Sequence, residues 1–237
     1  MLTVDVGNSS VGVARHVRTH VGVELSLEIA AEPLIAAALV DGACAGIAVS
    51  EPRWLAFCDA VRARGLPEPR RLSGIPLPLA DERLASTAGQ DRLALALAVG
   101  AGPAIAVDAG TALTLDVLDA EGVYRGGFIA PGPSASLFGL SQATHALPAL
   151  GGTPSRLELG VDTTGALSAG AWGLAVGGVD RLLEEALASL GAQAQRARVL
   201  VTGGWGAAWA AASRHTQRLE VDPLLVHRGL ARWAATS

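Results

Sequence analysis

A strand that runs into aspartate, a small residue and glycine occurs twice in this chain, and this repeat constrains the fold more than any other feature. Near the middle stands IAVDAGTALTLDVLDAEGVYRGGFIAPG, residues 105–132. Residues 105–107 read as a short buried strand, Asp108-Ala109-Gly110-Thr111 as a tight turn, and residues 112–118 as a second strand. Asp119-Ala120-Glu121-Gly122 follows as a hairpin turn and residues 123–129 as a third strand. The N-terminal LTVDVGNSSVGVA has the same order of apolar strand, Asp, small residue, Gly, hydroxyl or amide side chains, and apolar strand. Asp5 and Asp108 lie a little under half the chain apart. That is the spacing of a duplicated unit whose two turns face one ligand.

The chain has 237 residues, half of them hydrophobic and 17% charged, enough for one large domain or two small lobes and too apolar for disorder. Its net charge of −4 comes with scattered arginines and no lysine, so nothing points to nucleic acid or an anionic membrane surface. Cys44 and Cys58 are the only cysteines. They suit neither a disulfide framework nor a zinc site and read as small core residues. The most apolar stretch, residues 165–179, contains several glycines and stops at Asp180, too short to span a bilayer. A strand-like start at Leu2 argues against a cleaved signal, which would carry Asp5 away. The expectation is a soluble, cytoplasmic protein.

Residues 2–6 and 11–16 form a hairpin across Gly7-Asn8-Ser9-Ser10. A strand over 21–29, a helix over 32–40 and a short buried strand over 46–49 follow. Residues 52–64 have helical spacing, with Trp54, Leu55, Cys58 and Val61 on one face. Residues 67–78 hold four of the twelve prolines and read as an extended connection. Gly89-Gln90-Asp91-Arg92 then leads into LALALAVGAG. By spacing alone, Asp91 is a helix N-terminal residue favoured by the dipole, and Arg92 a solvated side chain. Pro131-Gly132-Pro133-Ser134 starts a helix over 134–147. Gly160-Val161-Asp162-Thr163-Thr164 caps a long helix over 166–190. Residues 198–202 form a buried strand entering Gly203-Gly204, after which Trp205 and Trp209 read as core or interface residues. Val221-Asp222-Pro223 precedes a final helix. A lobe boundary near 100–103 would divide residues 1–102 from 103–237.

The two turns supply what a triphosphate requires. Glycines let backbone amides approach the phosphate oxygens, hydroxyl side chains add donors, and each aspartate could hold a hard cation directly or through water. There is no GxxxxGK[ST] and no GxGxxG, so the chain is neither a P-loop protein nor a dinucleotide binder of that type. One Asp-x-Gly turn alone is commonly an Asx-turn. Two in repeated context, with a third strand-to-glycine turn at Val201-Thr202-Gly203-Gly204, favour a phosphate site.

This pattern resembles the actin, Hsp70 and sugar-kinase superfamily and, within it, the type III pantothenate kinases. The matching pieces are DVGNSS from Asp5, GQDR from Gly89, DAGTALTLD from Asp108, GGFIAPG from Gly126, Leu147-Pro148, GVDTTGAL from Gly160 and VTGG from Val201. They occur in the family's order across nearly the whole chain. The resemblance implies an α/β fold of two similar actin-like (ribonuclease H-like) lobes, mixed sheets flanked by helices, with nucleotide in the cleft between them. It implies transfer of the γ-phosphate of ATP to the primary hydroxyl of pantothenate, the first step to coenzyme A.

In that reading Asp5, Val6, Gly7, Asn8, Ser9, Ser10, Val11 and Gly12 match the ATP-phosphate loop, and Thr111 a second phosphate contact. Gly89, Gln90, Asp91 and Arg92 match the pantothenate segment, with Asp91 as general base; Thr163 matches a further substrate contact. Asp108 matches the residue binding a monovalent cation, potassium or ammonium; a divalent cation such as magnesium is implied as a further cofactor with ATP. The family works as a homodimer. Where its members carry Tyr-x-Asn-Pro before GxDR, this chain has Arg83-Leu84-Ala85-Ser86, so an aromatic wall and a turn proline are absent there; Tyr124 is the only tyrosine. That departure leaves two other readings: a regulatory nucleotide-binding protein on the same scaffold, or a kinase for another small hydroxy acid.

Overall fold

The computed structural model describes residues 2–7, 11–18, 23–29, 44–63, 65–74, 76–154 and 156–236. The strands are β1 (Leu2–Val6), β2 (Val11–Arg18), β3 (Val23–Ile29), β4 (Cys44–Ala48), β5 (Arg70–Arg71), β6 (Ala104–Ala109), β7 (Ala112–Leu118), β8 (Tyr124–Pro131), β9 (Arg198–Thr202) and β10 (Leu219–Val221). The helices are α1 (Glu51–Arg62), α2 (Leu84–Thr87), α3 (Gln90–Val99), α4 (Pro133–Ala143), α5 (Thr163–Ser189), α6 (Gly206–Ala212) and α7 (Leu225–Thr236). They divide between two compact units. One takes the chain up to Gly100, with Gly122–Tyr124 and the stretch from Leu224 on; the other takes Ala101–Glu121 and Arg125–Pro223.

In the first unit the sheet order is β3-β2-β1-β4-β5. The four-residue connection at 7–10 returns β2 antiparallel to β1, whereas β4 reaches β1 by a longer path and runs parallel to it. Leu2, Val4 and Val6 point to one side and pack with Val13, Trp54, Phe57, Cys58 and Val61. The helical face of α1 therefore steps 54, 57, 58, 61, one turn of apolar contacts per helical repeat. Leu55, expected on that face, is exposed, and Phe57 takes its place. α3 is apolar nearly all round and buried. Arg232 of α7 donates to the carbonyls of Leu97 and Ala98, both at 2.8 Å, and so satisfies the end of α3 where the dipole is negative.

In the second unit the order is β10-β9-β6-β7-β8. β6 takes the place of β1: β7 is antiparallel to it and β9 parallel. The same topology thus occurs twice, as the repeat implied, and the two mixed sheets flanked by helices are those that the resemblance implied. Alternate residues Ile105, Val107 and Ala109, Leu113, Leu115 and Val117, and Val199 and Val201 form one apolar face. α5 covers it with Trp172, Val179, Leu183 and Ala186.

Several expected boundaries move. Asp108 and Ala109 remain in the β6 ladder, so the turn begins only at Gly110. α4 ends at Ala143 rather than 147, because the Thr144 hydroxyl bonds back to the carbonyl of Leu140 while its backbone turns extended. α5 starts at Thr163, three residues early, where the Asp162 carboxylate accepts from the Gly165 N–H at 2.7 Å. The helix expected over 32–40 lies outside the described residues. No helix among the described residues is long and apolar enough to cross a membrane.

Candidate active site

Asp5 is the penultimate residue of β1, opposite Gly12 of β2 and Ile47 of β4. Val6, Gly7, Val11 and Gly12 continue the hairpin; Asn8, Ser9 and Ser10 lie outside the described residues. Asp5 keeps some exposed surface, yet its Oδ1 is closed off from solvent and has no hydrogen-bond partner among the described residues. Burial, with the neighbouring charge of Asp91, pushes its pKa up to about 7. The two carboxylates therefore share one electrostatic neighbourhood, although they are far apart in sequence.

Asp91 is brought there by the start of α3. Gly89 caps the helix in an extended conformation, and Asp91 occupies the second helical position. Its Oδ1 accepts from the N–H of Arg92 at 2.9 Å and folds back over Gly89, where any Cβ would collide with it. The place is favoured by the dipole, as expected from spacing, and it also presents a carboxylate to Asp5. Gln90 is tied down by its Nε2 donating to the carbonyl of Leu72 at 2.9 Å. Arg92 is only 9% exposed, so the solvated reading of that side chain does not hold.

Ahead of this helix, Arg83-Leu84-Ala85-Ser86 forms the single turn of α2, with the Ser86 and Thr87 hydroxyls donating to the Arg83 carbonyl. Tyr124 does not stand in for the missing aromatic wall. It is fully buried, and its backbone bonds to Pro78 and Ala80.

In the second unit Asp108 pairs across to Thr114 and Thr202. Gly203, with φ of +91°, turns the chain sharply after β9, and a Cβ there would stand 2.5 Å from Asp108 Oδ1 and from the Ala109 carbonyl oxygen. The Gly-Gly turn, Asp108 and the Gly110-Thr111 turn consequently form one packed corner. Thr111 is exposed at its tip. Thr163 stands on a different element, the first turn of α5, and opens on a cavity of about 610 Å³ lined mainly by Leu137, Leu140, Leu147, Leu167 and Leu174.

Two further contacts at these turns were not anticipated. The Trp205 indole Nε1 donates to the Gly110 carbonyl at 2.7 Å. His227 of α7 lies against Gly12, where a Cβ would come within 3.0 Å of its Nε2. On its other side His227 Nδ1 meets the Thr3 hydroxyl at 2.9 Å, and His16 Nε2 meets the same hydroxyl at 2.8 Å. Burial holds both histidines down at about 4, neighbouring positive charge adding to the effect for each. No local pattern marks these contacts, since the partners are 95 residues apart for Trp205 and Gly110, and 224 for Thr3 and His227.

The sequence profile of the type III pantothenate kinases matches residues 1–185. The chain belongs to this family. A type III pantothenate kinase of Xanthomonas oryzae pv. oryzae is 43% identical over 133 residues, 56% of this chain and 52% of that protein. The type III pantothenate kinase of Xanthomonas campestris pv. campestris is 40% identical over 166 residues, 70% of this chain and 64% of its own length. The chain thus spans about half the length of the curated relatives it matches. Among solved structures, a Campylobacter jejuni protein described as a Baf family transcriptional activator superposes with a TM-score of 0.62 at 22% identity, over 100% of this chain and 98% of that one. This likeness bears on the fold alone. Trp205 and His227 both lie beyond the stretch matched by the family profile.

Proposed function

We propose that the protein transfers the γ-phosphate of ATP to the primary hydroxyl of pantothenate, giving 4'-phosphopantothenate, the first step of coenzyme A biosynthesis. Beyond family membership, the observation that carries this reading is the carboxylate pair: Asp91 at the start of α3, beside an Asp5 whose Oδ1 lacks a partner among the described residues. Asp91 accepts the proton of the attacking hydroxyl as the new O–P bond forms and the bond between the γ-phosphorus and the bridging oxygen to ADP breaks. Most of the acceleration comes from alignment and from stabilising charge on the transferring group.

The Asp5–Gly12 loop and Thr111 hold the ATP phosphates. Arg92 pairs with the pantothenate carboxylate, for which its planar fork is suited; Gly89 and Gln90 shape that segment and Thr163 adds a contact. The sequestered oxygen of Asp5 fits a cationic complex, and magnesium, when bound with the nucleotide, neutralises triphosphate charge. Asp108 holds the monovalent cation, potassium or ammonium. The apolar side chains left open just before α5 and along its first half, Leu159 at 96% and Leu174 at 79% exposed among them, support a homodimer that covers them. A cytoplasmic location suits both substrates.

The test is incubation of the purified protein with ATP, magnesium, potassium and pantothenate, with the product identified by mass. Phosphopantothenate is expected. ATP turnover only with a different hydroxy acid would transfer the reading to another substrate, pointing to the altered Arg83–Ser86 turn. Binding of ATP without transfer to any acceptor would favour a regulatory scaffold.

A further inference from the structure

The Gly110-Thr111 turn is gripped from one side by groups far along the chain. The backbone N–H of Trp205 donates to the Ala109 carbonyl at 3.1 Å, its indole Nε1 to the Gly110 carbonyl at 2.7 Å, and the N–H of Gly132 to the Thr111 carbonyl at 2.9 Å. Trp205 is itself 5% exposed, and its ring meets Trp172 edge-on with centroids 6.1 Å apart. Gly132 completes the grip: a Cβ there would strike the Gly110 and Thr111 carbonyl oxygens and come within 3.2 Å of the indole nitrogen.

The direction of these carbonyls has a consequence for the opposite side of the turn. In a trans peptide the carbonyl and the following N–H point opposite ways, and none of the described peptide bonds is cis. With the Gly110 oxygen held by the indole, the Thr111 N–H points away from Trp205. Glycine tolerates the backbone angles of either peptide orientation. Without the indole, the Gly110–Thr111 peptide can flip and turn its carbonyl oxygen where the N–H had been. An amide facing a phosphate attracts it, and a carbonyl repels it.

We infer that Trp205 is a positioning residue for the phosphoryl donor, its indole N–H locking the Gly110–Thr111 peptide so that the Thr111 amide and hydroxyl present to phosphate together. The inference rests on the reading of this turn as an ATP-phosphate contact. It assigns a role in substrate binding to a residue that the sequence suggests as core or interface.

The experiment replaces Trp205 with 3-benzothienylalanine, which puts sulfur in place of the indole N–H at nearly constant ring size. Trp205→Phe and Thr111→Val are measured alongside it. For the analogue, KM for ATP is expected to rise about fivefold, the scale of one neutral hydrogen bond. KM for pantothenate should stay near that of the wild type, the melting temperature should fall by only about 2–4 °C, and Trp205→Phe should show the same KM pattern with a larger loss of stability. An unchanged KM for ATP in the analogue, or a loss of stability and kcat with KM unmoved, overturns the inference. If Thr111→Val also leaves KM for ATP unmoved, the phosphate reading of the turn has failed. If only Thr111→Val raises it, the role of Trp205 alone has failed.

Discussion

Replacing His227 with Gln should make the protein less sensitive to acid. The Thr3 hydroxyl has one proton, so it donates to one of the two rings that meet it and accepts from the other, an arrangement that suits two neutral imidazoles. Protonating both rings would leave two cations about one hydroxyl whose own proton has lost its acceptor. The folded pKa of His227 is lowered from 6.5 to about 4 by burial and then by His16. The folded state binds the proton less readily than the unfolded chain, so stability is full above the unfolded pKa and declines as pH falls below 6.5. A difference of about 2.5 pH units corresponds to roughly 3 kcal/mol when the titration is complete. Between pH 7 and pH 4.5 about 2–3 kcal/mol of it should appear. Glutamine keeps a polar partner for Thr3 and does not titrate. Urea unfolding of both proteins at the two pH values, taken as a double difference, isolates this group. The wild type should lose about 2–3 kcal/mol more than His227→Gln on acidification; parallel losses would refute the reasoning.

Two other substitutions separate the substrates. Arg92→Lys, which removes the planar fork from a nearly buried position, should raise KM for pantothenate about tenfold while KM for ATP stays near the wild-type value; steady-state kinetics with each substrate varied in turn measures this. Asp108→Asn should weaken the response of ATP use to potassium, and an unchanged potassium titration would remove Asp108 from the cation site.

The legible parts of this chain are those in which local pattern and tertiary role agree. β1, β7 and β9 begin and end where their apolar runs meet turn residues, because a strand buried on both faces has little freedom in its limits. The turn after β6 is legible in its glycine and hydroxyl, although it begins at Gly110 because Asp108 and Ala109 stay in the ladder; residues 8–10 of the first turn lie outside the described residues. In helix α1 the expected face departs from the pattern. Phe57, three residues after Trp54 and four before Val61, falls on the buried stripe, whereas Leu55 stands about 100° round the helix from Trp54 and is exposed, so the expected face lies one step off its own period. α2 was missed because a one-turn helix has too few residues to show a period. Asp91 could be read as a helix N-terminal residue or as a base; the structure places it at the second position of α3 and in the electrostatic neighbourhood of Asp5, and its work as a base remains the proposal. Trp205 and His227 were beyond reach, because each becomes relevant to a turn only after the chain has folded back over it.

Asp91 as the group that takes the hydroxyl proton is the centre of the functional account. A single-turnover measurement of phosphoryl transfer to pantothenate, on wild type and Asp91→Asn with ATP affinity determined on the same samples, tests it most directly. The account predicts product from the wild type, near-equal ATP affinity in the two proteins, and transfer slower by about 10²–10⁴-fold in the variant. Transfer by Asp91→Asn at close to the wild-type rate would contradict it, as would a wild type that binds ATP and leaves pantothenate unmodified.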